Sequence, residues 1–247
     1  MDKEKQKQNK LIILVGDSGC GKTELMKLVL QNHSEKFSAI KKSSTREARP
    51  GEENAIEIKP ECSIQEVDAM DYVYIGHNGN KYGFMKEQIE EPFIQGKSPM
   101  VIVDSEELLK KLCRNYTGRV CPIYIQRDKD DEDFIEELKR QGRTEEQIKQ
   151  RLDSRHKAKN LWGQCKDLFG YRYIINGPFL SKEKFLGWFE TIAGENNIDL
   201  IEAKHKKEVK GIISYFRSKW KERPALLSSN VCYEPKIEPD EEKEDIR

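Results

Sequence analysis

The chemistry-bearing residues begin early in the chain. Gly16-Asp17-Ser18-Gly19-Cys20-Gly21-Lys22-Thr23 matches GxxxxGK[ST] at every fixed position. Glycines at this spacing let the backbone curl so that successive amide N–H groups face one anion, and a helix beginning near Lys22 adds its positive end. Gly16, Ser18, Gly19 and Gly21 are therefore candidate phosphate contacts. Lys22 can reach the β and γ phosphates of a nucleoside triphosphate, and the Thr23 hydroxyl is placed to ligate magnesium. Cys20 reads as a small loop residue whose alkylation would disturb bound phosphates.

A second cluster follows in STREARPGE, residues 44–52, where Arg46 and Arg49 stand three positions apart. Arginine offers a planar, permanently charged fork suited to phosphate oxygens, so the pair can clamp a dianionic phosphate ester. Asp104 ends the strand-like MVIVD, with Glu106 two residues on. A carboxylate at the carboxyl end of a parallel strand, opposite a phosphate loop, can orient magnesium's waters or hydrogen-bond an acceptor. Asp104 also fits as the N-cap of the helix SEELLKKL.

These residues need a scaffold, and the apolar pattern supplies one. Leu11–Val15 are consecutive apolar residues, as in a parallel strand buried on both faces, and Leu25, Leu28 and Val29 then switch to helical spacing. PIYIQ (122–126) and YRYIIN (171–176) are the other expected core strands. Around residues 127–156 a charged helical pattern is interrupted by Gly142 and restarted by the capping box Thr144-Glu145-Glu146-Gln147.

Composition narrows the functional class. The 247 residues carry 44 lysines and arginines against 44 aspartates and glutamates, so no global field draws the chain to nucleic acid or to a membrane surface. The mean hydropathy is −0.82. Apolar residues nevertheless come in blocks, which disordered chains lack. Six cysteines and four histidines are scattered without a CxxC pair, so neither a disulfide framework nor a zinc site is suggested. The polar start, MDKEKQKQNK, has no apolar stretch behind it, and a cytoplasmic protein is the expectation.

GDSGCGKT, SSTREARPGE, GHNGNKYGF and GRTEEQIKQRL occur in that order, and together they resemble the guanylate kinase family over about residues 10–192. The resemblance implies an α/β P-loop three-layer fold with a central parallel sheet. A small acceptor-binding subdomain at about 43–98 and a helical lid at about 127–156 would sit on a domain spanning 11–192, after a polar segment at 1–10. It implies transfer of phosphate from ATP with Mg2+ to a nucleoside monophosphate, most simply GMP or dGMP. Arg46, Arg49 and Tyr82 would hold the acceptor phosphate. Arg140 and Arg151 would join Lys22 in stabilising the transferring group, and Asn176 would lie near the adenine of ATP. One of the acidic pair at Asp104 and Glu106 would read the base.

The resemblance breaks at positions that normally complete the acceptor pocket. A serine falls at Lys42, a tyrosine at Ile58, the guanine-reading glutamate at Val73, and a serine at Phe84. Glu57, Glu61 and Glu66 are candidates for a displaced carboxylate. Another nucleotide or a sugar phosphate is therefore an alternative acceptor, and a non-catalytic interaction module is a reading from a different class. Beyond the domain, residues 193–224 read as a helical extension with Val209, Ile212, Ile213, Phe216 and Trp220 on one face, packing on the domain, docking a protein partner or, as a third reading, lying on a membrane surface. The acidic tail at 225–247 reads as disordered.

Overall fold

A computed structural model describes residues 9–48, 52, 55–76, 78–176, 181–196 and 230–233. The extension helix expected within 197–224, most of the terminal tail, Arg49 and His77 lie outside the described residues.

Leu11–Gly16 form β1, and a turn leads directly into α1, Lys22–His33. Further strands parallel to β1 follow: β2 (Phe37–Ala39), β7 (Ser98–Ile102), β8 (Val120–Asp128) and β9 (Tyr171–Asn176). Together with β10 (Asn230–Tyr233) they make a sheet in the order β10-β9-β8-β1-β7-β2, every pairing parallel. Strand β10 corrects the expectation that residues 225–247 are unstructured throughout, because 230–233 pair with Tyr171–Ile174.

Alternation along β1 decides what lies above and below it. Ile12 and Leu14 join Leu25, Met26 and Val29 of α1 and Phe185, Phe189 and Ile192 of α7 (Lys182–Glu195) on one face. Leu11, Ile13 and Val15 meet Leu108, Leu109 and Leu112 of α4 (Glu106–Asn115) on the other. Burial on both faces explains the unbroken apolar run at 11–15.

A smaller sheet inserts between β2 and β7. Strands β3 (Lys42–Ser44), β4 (Ile58–Lys59), β5 (Tyr72–Ile75) and β6 (Lys81–Phe84) lie in the order β4-β3-β6-β5. The short helix α2, Ile64–Asp68, starts on a Ser63 and Glu66 capping box, and α3, Glu87–Ile94, leads back to β7.

Two further helices stand over the carboxyl ends of β1 and β8. α5 is Asp131–Arg140 and α6 is Glu145–Cys165. The Thr144 and Gln147 capping box starts α6 as the residues indicated, and Gly142 occupies the break at φ 72°. Phe134, Leu138 and Ile148 pack together as a separate small core. The same helix then continues past 156, where the lid was expected to end, and buries Leu161 and Cys165 in the main core.

Candidate functional site

The turn after β1 is a cradle of backbone amides. Gly16, Gly19 and Gly21 have φ of 149°, 74° and 90°. At Gly16 an added Cβ would lie 1.9 Å from the carbonyl oxygen of Ile125, so β8 leaves room only for glycine. Lys22 donates to the carbonyl oxygens of Gly16 at 2.8 Å and Asp17 at 2.6 Å, folding its amine against the loop.

Asp17 is buried beneath this loop. Its carboxylate accepts from the Tyr124 hydroxyl at 3.1 Å and lies 4.0 Å from the guanidinium of Arg155, a lid-helix residue only 1% exposed. Arg155 also donates to the carbonyl oxygens of Lys129 and Asp130, pairs with Asp131, and lies over the Phe134 ring. Burial raises the Asp17 carboxyl above its ordinary value, outweighing the pull of Arg155 and Lys22. Neither residue stood out in the sequence as part of the site.

The two arginines expected of the lid lie in different places. An added Cβ at Gly19 would lie 3.8 Å from Nη1 of Arg151, which therefore hangs over the phosphate loop. Arg140 is instead the exposed last residue of α5. Asn176 ends β9, in register with Asp128.

Facing the loop is the small sheet. The Thr23 hydroxyl donates to Glu57 Oε1 at 2.9 Å, joining the phosphate loop to the segment that leads into the small sheet. Glu57, considered from the sequence only as a base-reading carboxylate, thus stands at the proposed magnesium ligand. Arg46 is buried and donates to Glu52 Oε1 at 2.7 Å and to the Glu47 carbonyl at 2.8 Å. Tyr82 is also buried, and its hydroxyl accepts from Asn78 at 2.8 Å. Burial raises the Tyr82 phenol, while its bond from Asn78 and the nearby charge of Arg46 pull the other way. Gly76 must remain small here, since an added Cβ would lie 2.6 Å from the Tyr82 ring and 3.1 Å from Asp104 Oδ2.

The inner end of this pocket corrects the reading of Val73. In β5, Tyr72 and Tyr74 are buried while Val73 is 37% exposed, so residue 73 points away from the cleft. Cross-strand pairing sets Tyr74 opposite Tyr82 and Tyr72 opposite Phe84, and each pair stacks, at 5.3 Å and 5.1 Å between centroids. Alternation in YVYI was the signal available for this assignment; a one-residue slip in aligning a strand exchanges its faces. Ile58 and Phe84 are core residues of the small sheet.

Lys42 occupies the space beside the stacked tyrosines. Its amine donates to the Tyr74 hydroxyl at 3.0 Å and to the Ile102 carbonyl at 2.6 Å, and lies 5.3 Å from the centre of the Tyr82 ring. Burial lowers its pKa to about 8, against the opposing attraction of Asp104 and Glu57. Tyr74 is hydrogen-bonded in turn to Asp104. Asp104 does not cap α4, because Ser105 accepts from the Leu108 amide in that role. Glu106, expected beside Asp104, opens α4 at the surface and pairs with Lys110 one turn on.

The cleft thus has a phosphate cradle and Arg151 on one side and Arg46, Tyr82, Lys42, Tyr74 and Asp104 on the other. Among the described residues there is no cluster of three or more histidine, cysteine or acidic side chains arranged to hold a metal alone.

Comparison with known proteins identifies a family. The model of the guanylate kinase family matches residues 8–182. The guanylate kinase of Sus scrofa is 31% identical over 138 residues, covering 54% of this chain and 68% of that protein. The Homo sapiens guanylate kinase is 30% identical over 138 residues, with the same coverages of 54% and 68%. A crystal structure of guanylate kinase from Anaplasma phagocytophilum shares the fold at a TM-score of 0.52 and 14% identity, covering 85% of this chain and 96% of that one.

Proposed function

Because the chain belongs to the guanylate kinase family, we propose that it transfers the γ-phosphoryl group of MgATP to the phosphate of GMP or dGMP. The family is one of nucleoside monophosphate phosphotransferases, and phosphoryl transfer asks the protein chiefly to position its reactants and stabilise charge. A cytoplasmic setting is part of the proposal; among the described residues no helix is long and apolar enough to cross a membrane.

The observation that carries the reading is the bond between Thr23 and Glu57, which ties the phosphate loop to the segment leading into the small sheet, where the acceptor would bind. The glycine-rich turn suits a polyphosphate, because its left-handed residues curl the backbone as an anion-binding loop requires and Lys22 already lies against it. Oxygen donors around Thr23 suit a hard cation such as Mg2+. When bound, that ion would neutralise charge on the phosphate oxygens.

Lys22 would leave the loop carbonyls and extend to the β and γ phosphates. Arg151 would add positive charge over the group in transit, where such charge counts most. Arg46 and Tyr82 would receive the acceptor phosphate, with Glu52 holding the Arg46 guanidinium in place. Arg49 would complete that clamp, and Asn176 would serve the adenine end.

At the base end, Lys42 is a donor beside Asp104, an acceptor. Guanine presents an acceptor at O6 next to donors at N1 and N2, so the two side chains complement its edge. The carboxylate that the pocket needs is then Asp104, and no acid at position 73 is required.

The test is ADP release with MgATP and each of GMP, dGMP, AMP, UMP, CMP and dTMP, with Lys22→Ala as the blank. Turnover on GMP and dGMP is expected. Lys22-dependent turnover on another monophosphate alone would reassign the acceptor, and none on any acceptor would overturn the kinase reading.

A further inference from the structure

We propose that Glu57 completes the magnesium site of this chain, holding the ion together with Thr23, directly or through one of its waters. The inference rests on the MgATP reading above and assigns the metal a protein carboxylate from the acceptor side of the cleft.

Glu57 sits immediately before β4, and its position is set by the backbone: its carbonyl accepts from the Lys42 amide at 3.1 Å. From there the side chain reaches the phosphate loop, where Oε1 accepts from the Thr23 hydroxyl at 2.9 Å. The other oxygen, Oε2, is buried and has no hydrogen-bond partner among the described residues. A buried carboxylate oxygen left without a partner is unfavourable, and a cation or its water is the kind of group that would satisfy it.

Charge leads to the same conclusion. Phosphates bound in the glycine cradle would bring negative charge to Thr23, where a carboxylate already stands. Two anions converging on one hydroxyl repel unless a cation lies between them. The threonine oxygen can offer a lone pair to that cation while its O–H still donates to Glu57 Oε1, so the bond seen here is compatible with the loaded site. Lys42 and Arg46 are the other charges that act with Glu57. If Glu57 served only to balance those cations, its removal would leave the metal dependence of nucleotide binding untouched.

The experiment measures ATP binding to the full chain by calorimetry, in EDTA and in excess Mg2+, for the wild type, Glu57→Gln and Glu57→Asp. Mn2+ resonance in the ATP complex reports directly on the ion. In the wild type Mg2+ tightens ATP binding. In Glu57→Gln that enhancement should fall by at least about tenfold, the scale of one lost charged partner. Metal-free ATP should bind more tightly to this variant, since one repelling charge is gone, and the Mn2+ spectrum should change. Glu57→Asp, which withdraws the carboxylate by a methylene, should give an intermediate enhancement. A wild-type enhancement and spectrum in whichever variant folds, judged by circular dichroism, would overturn the proposal while leaving the kinase reading intact. Failure of the wild type to bind ATP, or equal binding by Lys22→Ala, would overturn the MgATP reading and this proposal with it.

Discussion

The amine of Lys42 donates to the hydroxyl of Tyr74 across a pocket in which both side chains are buried. Tyr74 is hydrogen-bonded in turn to Asp104, so a donor and an acceptor are held close together at the inner end of the cleft.

Replacing Lys42 with Met should raise KM for GMP and lower kcat/KM by roughly 10- to 100-fold, the range for losing a charged hydrogen-bond donor. IMP, which keeps O6 but lacks the N2 amine, should suffer equally. Asp104→Asn should instead penalise GMP more than IMP. Steady-state kinetics on both nucleotides would check the assignment, and equal losses from the two variants on both substrates would contradict it.

Gly76→Ala would place a methyl against Tyr82. Relieving that overlap costs about 1 to 3 kcal/mol in packed sites, and here the ring that moves is the proposed phosphate ligand. The acceptor KM should rise while the dissociation constant of ATP stays at its wild-type value.

Arg151→Ala should lower kcat by about 100- to 1000-fold, the usual effect of removing one preorganised group from a transition state. Arg140→Ala, altering an exposed helix end, should be much milder. Single-turnover rates with saturating nucleotides would separate them, and equal losses would show that Arg140 reaches the cleft during the reaction.

Arg155→Met would strand the buried Asp17 carboxylate. Breaking a buried pair from one side commonly costs about 3 to 5 kcal/mol, to be read from urea denaturation. Adding Asp17→Asn should recover part of the loss, because the uncompensated charge is then removed as well.

Acid should loosen the lid. A hydrogen bond from His156, at 2.6 Å, and neighbouring Lys159 and Arg155 hold the Asp131 carboxyl below its ordinary value. Its contribution to stability is therefore complete above the unfolded carboxylate pKa of about 3.9 and is lost as pH falls through the depressed value. Protection of the amides in α5 and in the first turns of α6, taken relative to their intrinsic exchange rates, should fall below about pH 4, and Asp131→Asn should show weaker protection already at pH 7.

Much of this was legible in the residues. The phosphate loop was readable because its glycine spacing states a backbone conformation, and the capping box at Thr144 because its hydrogen bonds are local. Glu57 was not readable as a partner of Thr23, since 34 positions separate them and only the fold closes that distance. Tyr74 was missed because the reading from spacing fixed on residue 73, which the strand turns to solvent between the buried Tyr72 and Tyr74. Arg155 looked like one more charge on a charged helix. Only the depth at which α6 enters the core shows it to be buried.

Strand β10 has a consequence unrelated to catalysis. It covers the outer side of β9 with a backbone ladder running from Asn230 opposite Tyr171 to Tyr233 opposite Ile174. A chain cut between 197 and 229 would keep the described residues of the cleft, yet leave the outer edge of Tyr171–Ile174 without its ladder, while the inner edge stays paired with β8. Such an edge recruits the same strand from another molecule. The four residues of β10 thus shield that edge, and a chain lacking them is expected to self-associate more readily than the full chain, which light scattering would check.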